Sequence, residues 1–366
     1  MVRKLPPGVS SLTRMVGGQP VYRRDWQKSD GRSIYFYGYQ PHDLSLVPGS
    51  QLEQLAGGEL RYHPLRQTWS VYAAERNKRT FKPSVTADPL APSQRNSDQT
   101  EIPFEDFELC VFENRFPAFH SQAADPTNGL AGVTRANAKG ACEVVVYSPE
   151  KTGSLSTIGQ ARRRLLLSAW IDRYEELYSQ GNAYVLPFEN RGDEVGVTLH
   201  HPHGQIYALP FIPQPQERAQ AAFDAGYDLA SHLVDWQEDH GIAEAGGVVA
   251  FAPPFAQFPY EVWLASLNPV SGPWAYSEEQ ADGFAHLLGT ITERYDAFFG
   301  KPTPYMFSLQ ASPHGRDGHF QFTAQFYPVL RAPDRIKYFA SVEHVTGVYT
   351  VDVLPTDAAK SLKEAL

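Results

Sequence analysis

The sequence predicts an α+β fold made of two similar halves, each a mostly antiparallel sheet carrying one long helix. Three observations lead there. Short runs with alternating apolar residues, bounded by Gly, Pro, Asn and Asp, recur along the chain and read as strands. Two longer segments have helical periodicity. The order strand, helix, strand, strand occurs twice. With 366 residues the chain exceeds one small core and suggests two domains or one large duplicated one. Its 42% hydrophobic content is enough for a globular core, and 19 Tyr with 21 Phe lean towards sheet.

The elements follow in order. Residues 1–57 mix turns with one alternating run, "SIYFYGY" (33–39), and form a lead-in with a strand. Alternation around Trp69, Val71 and Ala73 predicts a strand ending in the basic run "ERNKR" (75–79). Residues 82–100 are rich in Pro, Ser, Asp and Asn and read as a loop. "FELCVFENRFPAF" (107–119) is a strand running into a turn, and "ACEVVVYSP" (141–149) is a strand. A helix is expected over 156–181, ending at Gly181, followed by a strand at 183–192.

The second half repeats this order. "YEVWLASLNP" (260–269) resembles "CEVVVYSP", and the helix expected over 277–300 carries "RYDAFF" where the first carries "RYEELY". "PYMFSLQASP" (304–313) and "HFQFTAQFYP" (319–328) follow as strands. Glu143 and His201 are as far apart in sequence as Glu261 and His319, which supports an internal duplication. The expected halves are 58–212 and 213–366, the first carrying the active site. Under this pairing His201 meets His319, whereas His203 meets Gln321 and Gln205 meets Thr323. Polar residues kept in one copy only are the candidates for chemistry, so His203 and Gln205 stand apart from His201.

Composition narrows the function classes. A net charge of -9 argues against a nucleic-acid binder, which needs a basic face, but leaves room for an anionic small substrate. No apolar run is long enough to predict a membrane span, and the N-terminus lacks the apolar core of a signal peptide, so a cytoplasmic protein is expected. Cys110 and Cys142, the only two cysteines, cannot make a disulfide framework or a four-thiolate zinc site and read as buried thiols.

The stretch "GVTLHHPHGQIYALP" (196–210) concentrates the possible chemistry. His201 and His203 would share a face on a strand. Two histidines are short of the three or four ligands that zinc takes, and no nearby Cys, Asp or Glu completes a set. A neutral imidazole can instead attack phosphorus and form a covalent intermediate, given a neighbour that fixes its tautomer. Gln205 follows on the same face and can donate to a phosphate oxygen. Gly204 would let a phosphate approach the backbone. The bland alternative is a solvated edge strand.

"HPHGQ", preceded by "ENRGDEVGVTLH", resembles the active-site signature of the galactose-1-phosphate uridylyltransferases, a duplicated branch of the histidine-triad superfamily. Five motifs match in order, from about residue 58 to about 360. The resemblance implies two histidine-triad-like halves forming a half-barrel with packed helices. It makes His203 the nucleophile and Gln205 the residue holding the phosphoryl oxygens. Asn190, Gly196 and Thr198 match the contacts to the nucleotide phosphates. Phe112, Asn114 and Phe116 match the uracil–ribose segment, with Arg115 standing where the family commonly has Asp. Arg76, Lys78 and Arg79 match a basic run in which the arginines reach the sugar phosphate. Lys337, Tyr338, Glu343 and Tyr349 match the hexose-binding segment. In the family that segment and the arginines serve the partner subunit's site, which implies a homodimer.

Where the family often has "C-P-L-C-P", this chain reads "DPLAP", with Asp88 and Ala91 in place of the thiols. The third zinc ligand would fall near Asn128 or Gly129, leaving His201 alone. The histidines of the second metal site in some members are here Gln310, Thr323 and Gln325. No bound metal and no required cofactor are expected, and His201 keeps a hydrogen-bonding or packing role.

The implied reaction converts UDP-glucose and galactose 1-phosphate to glucose 1-phosphate and UDP-galactose through uridylyl-His203, with the His201 main-chain carbonyl orienting His203. One alternative is a nucleoside diphosphate-sugar or dinucleoside polyphosphate phosphorylase; another is a non-catalytic nucleotide-binding protein. Arg162, Arg163 and Arg164 read as a solvated helix face. Glu143 and Glu261 read as edge-strand charges, His319 as a satisfied structural histidine, and Trp69 and Trp170 as core aromatics.

Overall fold

The computed structural model describes residues 11–41, 58–78, 88–94, 100–127 and 129–366. The lead-in contributes β1 (Ser11–Val16), β2 (Gln19–Gln27) and β3 (Ser33–Gly38), of which the sequence pattern showed only the last. β4 (Glu59–His63) and β5 (Thr68–Tyr72) form a hairpin, and β6 (Leu109–Glu113), β7 (Arg135–Asn137) and β8 (Ala141–Val146) follow. Next come α1 (Gln160–Ser179), β9 (Tyr184–Arg191) and β10 (His203–Leu209). α2 (Gln214–Asp224), α3 (Leu229–His240), β11 (Gly241–Ala245), β12 (Val248–Phe251) and β13 (Val262–Ser266) open the second half. It continues with α4 (Glu278–Phe299), β14 (Tyr305–Gln310) and β15 (Thr323–Pro328), and ends with α5 (Ser341–Thr346) and α6 (Pro355–Lys363).

Twelve strands make one open sheet in the order β1-β2-β3-β6-β8-β10-β9-β14-β15-β13-β12-β11. Every pairing between neighbours is antiparallel. β4, β5 and β7 form a separate small sheet. The two halves meet where β9 pairs with β14, and the strand–helix–strand–strand order is mirrored on either side. The α+β class and the antiparallel sheet agree with expectation.

Both long helices lie on one face of the sheet. Val145, Ile206, Val262, Leu264, Phe307 and Phe326 share a core with Leu166, Trp170 and Tyr174 of α1 and Phe284, Leu288 and Ile291 of α4. Burying a large apolar side chain of this kind stabilises the fold by about 1.5–3 kcal/mol. Ser277 caps α4 through a reciprocal bond with Gln280, and Gly300 ends it with φ 67°.

The arginine run on α1 is not a solvated face. Residues 163–171 are buried all the way round the helix, because α1 is wedged between the sheet and α4. Arg163 donates to Ala285 O at 2.6 Å and Leu155 O at 2.8 Å, and Arg164 pairs with Glu278 at 2.8 Å. These arginines join the two halves.

Glu143 is not an edge charge either. β8 lies inside the sheet, and Glu143 makes a buried bidentate pair with Arg173 of α1 at 2.7 and 3.0 Å. Glu261 is equally buried but on the opposite face, where it accepts from Trp263 Nε1 at 2.7 Å and from the N–H groups of Gln257 and Phe258. Side chains of adjacent residues point to opposite faces, so these two glutamates do not occupy equivalent positions. The duplicated order of elements is present; the letter match of Glu143 with Glu261 is out of register. His319 is exposed in the turn before β15, not a bonded core histidine.

The other face differs between the halves. On the first half a small core of Ile34, Phe36, Phe104 and Cys110 leaves a cavity open over β6, β8 and β10. On the second half α3 fills the corresponding space, packing Leu229 and Leu233 on Val249, Phe251 and Ala265. Gln321, paired by sequence with His203, accepts a hydrogen bond from Ala230 N at 3.1 Å in the first turn of α3. Among the described residues, the cavity over this face lies on the first copy.

Candidate active site

β10 begins at His203, so His203, Gln205 and Tyr207 face the open side together. His203 Nδ1 lies 2.7 Å from His201 O. A carbonyl only accepts, so Nδ1 carries the proton and Nε2 keeps its lone pair. Burial pulls the ring's pKa below the ordinary imidazole value, against the opposing effect of that hydrogen bond. The neutral ring with a free Nε2 is the nucleophilic form.

His203 stands where two cavities adjoin. The larger, about 310 Å³, is lined with Leu90, Phe112, Phe116, Val144 and Leu199 as its apolar wall. Its polar groups are Thr100, Glu101, Asn114, Arg115, Thr198 and Gln205. The smaller, about 90 Å³, runs along Asn190, Arg191, Gly192 and Asp193 to the 200–203 segment. A phosphate bound against His203 would have Gln205 and Thr198 on the same cavity wall. Gly196 lies in the turn after Val195 with φ 80° and lines neither cavity.

His201 lies before the strand, so strand alternation does not govern it. Its buried ring bonds Asp88 Oδ2 through Nδ1 at 2.7 Å and Ser148 O through Nε2 at 2.8 Å. Burial pushes the Asp88 carboxyl up, but the His201 hydrogen bond and charge outweigh it and hold it below the usual carboxylate range. Of the residues at the family's zinc position, Asp88 and His201 are bonded to each other and Ala91 offers no donor. Asn128 lies outside the described residues, as does Arg79. At the second metal position Gln325 donates to Thr323 Oγ1 and Gln310 to Ser308 Oγ, both at 2.8 Å, a network of neutral groups. Among the described residues no cluster of three His, Cys, Asp or Glu side chains is placed to hold a metal ion.

Gly204 has a different reason from phosphate access. It alternates with His203 and so faces the helices, where an added Cβ would lie 2.5 Å from Tyr147 Oη and 3.0 Å from Phe188 O. Tyr147 in turn donates to Glu189 at 2.9 Å, and Tyr305 donates to the other Glu189 oxygen at 3.0 Å. Burial raises the Glu189 pKa to about 6, against these two hydrogen bonds.

Arg76 sits near the cavity's rim, donating to Tyr207 Oη at 3.1 Å and Phe116 O at 3.3 Å. The C-terminal segment lies apart. Lys337 and Tyr338 line a third cavity of about 280 Å³, which shares no residue with the two at His203. Glu343 is buried and ion-paired with Lys337, and it accepts from Ala340 N at 2.8 Å and Thr350 N at 3.0 Å. The Lys337 bond is the main reason its pKa falls to about 2. Tyr349 packs against Phe258 and Phe339. Sequence reasoning missed Thr100 and Glu101, which carry no motif and reach the cavity through loops, and did not single out Leu199 within the 196–210 stretch.

Comparison with known proteins agrees with the geometry. Residues 49–213 match the family model described as galactose-1-phosphate uridyl transferase, N-terminal domain. The chain is 33% identical to the galactose-1-phosphate uridylyltransferase of Thermotoga maritima, over 84% of this chain and 98% of the relative. Identity to the Streptomyces lividans enzyme of the same name is 30%, over 92% of this chain and 96% of that one. A solved uridylyltransferase structure superposes with a TM-score of 0.75 at 23% identity, covering 84% of this chain and 98% of that one. An ADP-glucose phosphorylase from Arabidopsis thaliana with bound ADP-glucose gives 0.62 at 22% identity, covering 83% and 97%; these two likenesses concern the fold. On the sequence identities, the chain belongs to the galactose-1-phosphate uridylyltransferase family.

Proposed function

We propose that this protein transfers uridylyl groups between hexose 1-phosphates, converting UDP-glucose and galactose 1-phosphate to glucose 1-phosphate and UDP-galactose. The hydrogen bond from His203 Nδ1 to His201 O carries the mechanism, because it fixes the tautomer in which Nε2 is the nucleophile. Nε2 attacks the α-phosphorus. The bond from that phosphorus to the bridging oxygen breaks, and glucose 1-phosphate leaves with the electron pair. The phosphorylated ring is cationic while Nδ1 keeps its proton on His201 O, so it is a good leaving group for the second step. There a phosphate oxygen of galactose 1-phosphate attacks phosphorus and neutral His203 departs. Gln205 donates to the phosphoryl oxygens in both steps.

No step needs a resident metal in this reading: the Asp88–His201 pair and Ser148 O hold the segment that presents the carbonyl. The hexose segment serves a second copy of the chain. Its separate cavity supports this, as do Tyr338 at 76% exposure, Phe339 at 58% and Val345 at 65%, apolar surface suited to an interface. Light scattering on the eluting protein should give twice the chain mass, and a monomer would reject the shared site. No described helix is long and apolar enough to cross a membrane, and two buried free thiols suit a cytoplasmic location.

Mass spectrometry tests the chemistry. Folded protein incubated with UDP-glucose alone should carry uridylate on His203, and galactose 1-phosphate should discharge it. Absence of any adduct would reject the enzyme, and discharge only by inorganic phosphate would make it a phosphorylase.

A further inference from the structure

We infer that Glu101 determines nucleoside specificity by accepting a hydrogen bond from a ribose hydroxyl. The inference rests on the uridylyl reading above and adds a residue to it. Glu101 forms part of the wall of the cavity that His203, Gln205, Asn114 and Phe112 also line. Its two oxygens are in different situations. Oε2 accepts from both Lys28 Nζ and Arg32 Nη2, the latter at 2.7 Å. Oε1 accepts from no donor among the described residues.

The clamp on Oε2 is built into the fold. Lys28 and Arg32 flank the turn between β2 and β3, and Lys28 N donates to Arg32 O at 2.8 Å. Arg32 is fully buried and also bonds Asp30 at 2.7 Å and Glu113 O at 3.1 Å. Lys28 Nζ sits 5.0 Å from the centre of the Phe112 ring, on the cavity's aromatic wall. Two buried cations therefore keep Glu101 ionised and fixed, with one oxygen left over. This also gives the lead-in strands a part in the site.

An ionised oxygen in a nucleotide cavity needs a donor. The phosphates offer none and are repelled. Uracil offers one N–H, but two carbonyl oxygens flank it and would face the carboxylate. Ribose offers two adjacent hydroxyls, each able to donate. Arg115, on the same cavity wall, is a cation with no acceptor atom and cannot take this role. Glu101, lining the same cavity from another loop, supplies an ionised acceptor.

Calorimetric titration of the full-length protein with UMP, 2′-deoxy-UMP, 3′-deoxy-UMP and GMP tests this, together with E101A and E101Q. For the unaltered protein, removal of at least one ribose hydroxyl should weaken binding roughly 10- to 100-fold, the range for a hydrogen bond to a charged group. In both variants UMP and that deoxy analogue should bind within a few-fold of each other. Equal binding of UMP and both deoxy nucleotides by the unaltered protein would overturn the inference while leaving the uridylyl reading intact. So would a discrimination that persists undiminished in E101A. A preference for GMP would mean that the carboxylate reads a base edge instead. No binding of UMP by folded protein would sink the uridylyl reading and this inference together. The ligand series on the unaltered protein does not depend on how well the variants fold.

Discussion

Asp88 Oδ2 and His201 Nδ1 lie 2.7 Å apart, and the far nitrogen of the same ring meets Ser148 O at 2.8 Å. The ring is thus held at both nitrogens, which locks the His201 and Asp88 side chains together beside the candidate nucleophile. The His201 side chain is fully buried and that of Asp88 is 12% exposed.

Removing one partner strands the other. Asp88→Ala should lower stability by about 3–5 kcal/mol, measured by urea unfolding. It should also slow uridylylation of His203, because the His201 carbonyl loses its anchor. Since the Asp88 pKa is lowered in the folded protein, its contribution is complete above the unfolded carboxyl's pKa and is lost as pH falls through the lower folded value. The acid side of the stability profile should flatten in Asp88→Asn.

Metal removal follows from the same pair. Prolonged dialysis against EDTA should leave the melting temperature unchanged, and metal analysis of the purified protein should find less than stoichiometric zinc. A full equivalent of zinc, or a clear drop in melting temperature, would contradict the reading of Asp88 and His201 as mutual partners.

Gln205→Ala should reduce kcat about 10²–10³-fold, the usual cost of losing one donor to a developing oxyanion. KM should change much less. Gln205→Glu, which keeps the shape but adds a charge facing the phosphate, should be worse than Ala.

Gly204→Ala places a methyl 2.5 Å from Tyr147 Oη. Overpacking of this kind costs about 1–3 kcal/mol. Tyr147→Phe removes the nearest atom, so a double-mutant cycle should show that part of the Gly204→Ala penalty disappears when the hydroxyl is absent. Additive effects would mean that the glycine answers to something else.

Glu189 gives an opposite pH signature to Asp88. Burial raises its pKa to about 6, so the folded state binds its proton more tightly than the unfolded state does. Its contribution is therefore most favourable below the unfolded value, about 4.3. Stability should fall as pH rises from there to about 6, by about 2 kcal/mol in all. Glu189→Gln should remove that slope in denaturant titrations across this window.

The fold class and the repeated order of elements are legible in the sequence alone, and the motif names His203 and Gln205 as candidates. These depend on local periodicity and on a short motif, and both are written in consecutive residues. Tertiary structure decided the rest. A run of arginines on α1 looks solvated until α4 and the sheet close over it, and Glu143 looks like an edge charge until Arg173 meets it across the core. Gly204 looks like room for phosphate until the alternation of β10 turns it towards Tyr147. Asp88 and Glu101 reach the site from loops distant in sequence, and their partners His201, Lys28 and Arg32 come from other elements. Periodicity reports which face a residue takes; only packing reports what stands opposite it, and the chemistry of a buried charge depends on that neighbour.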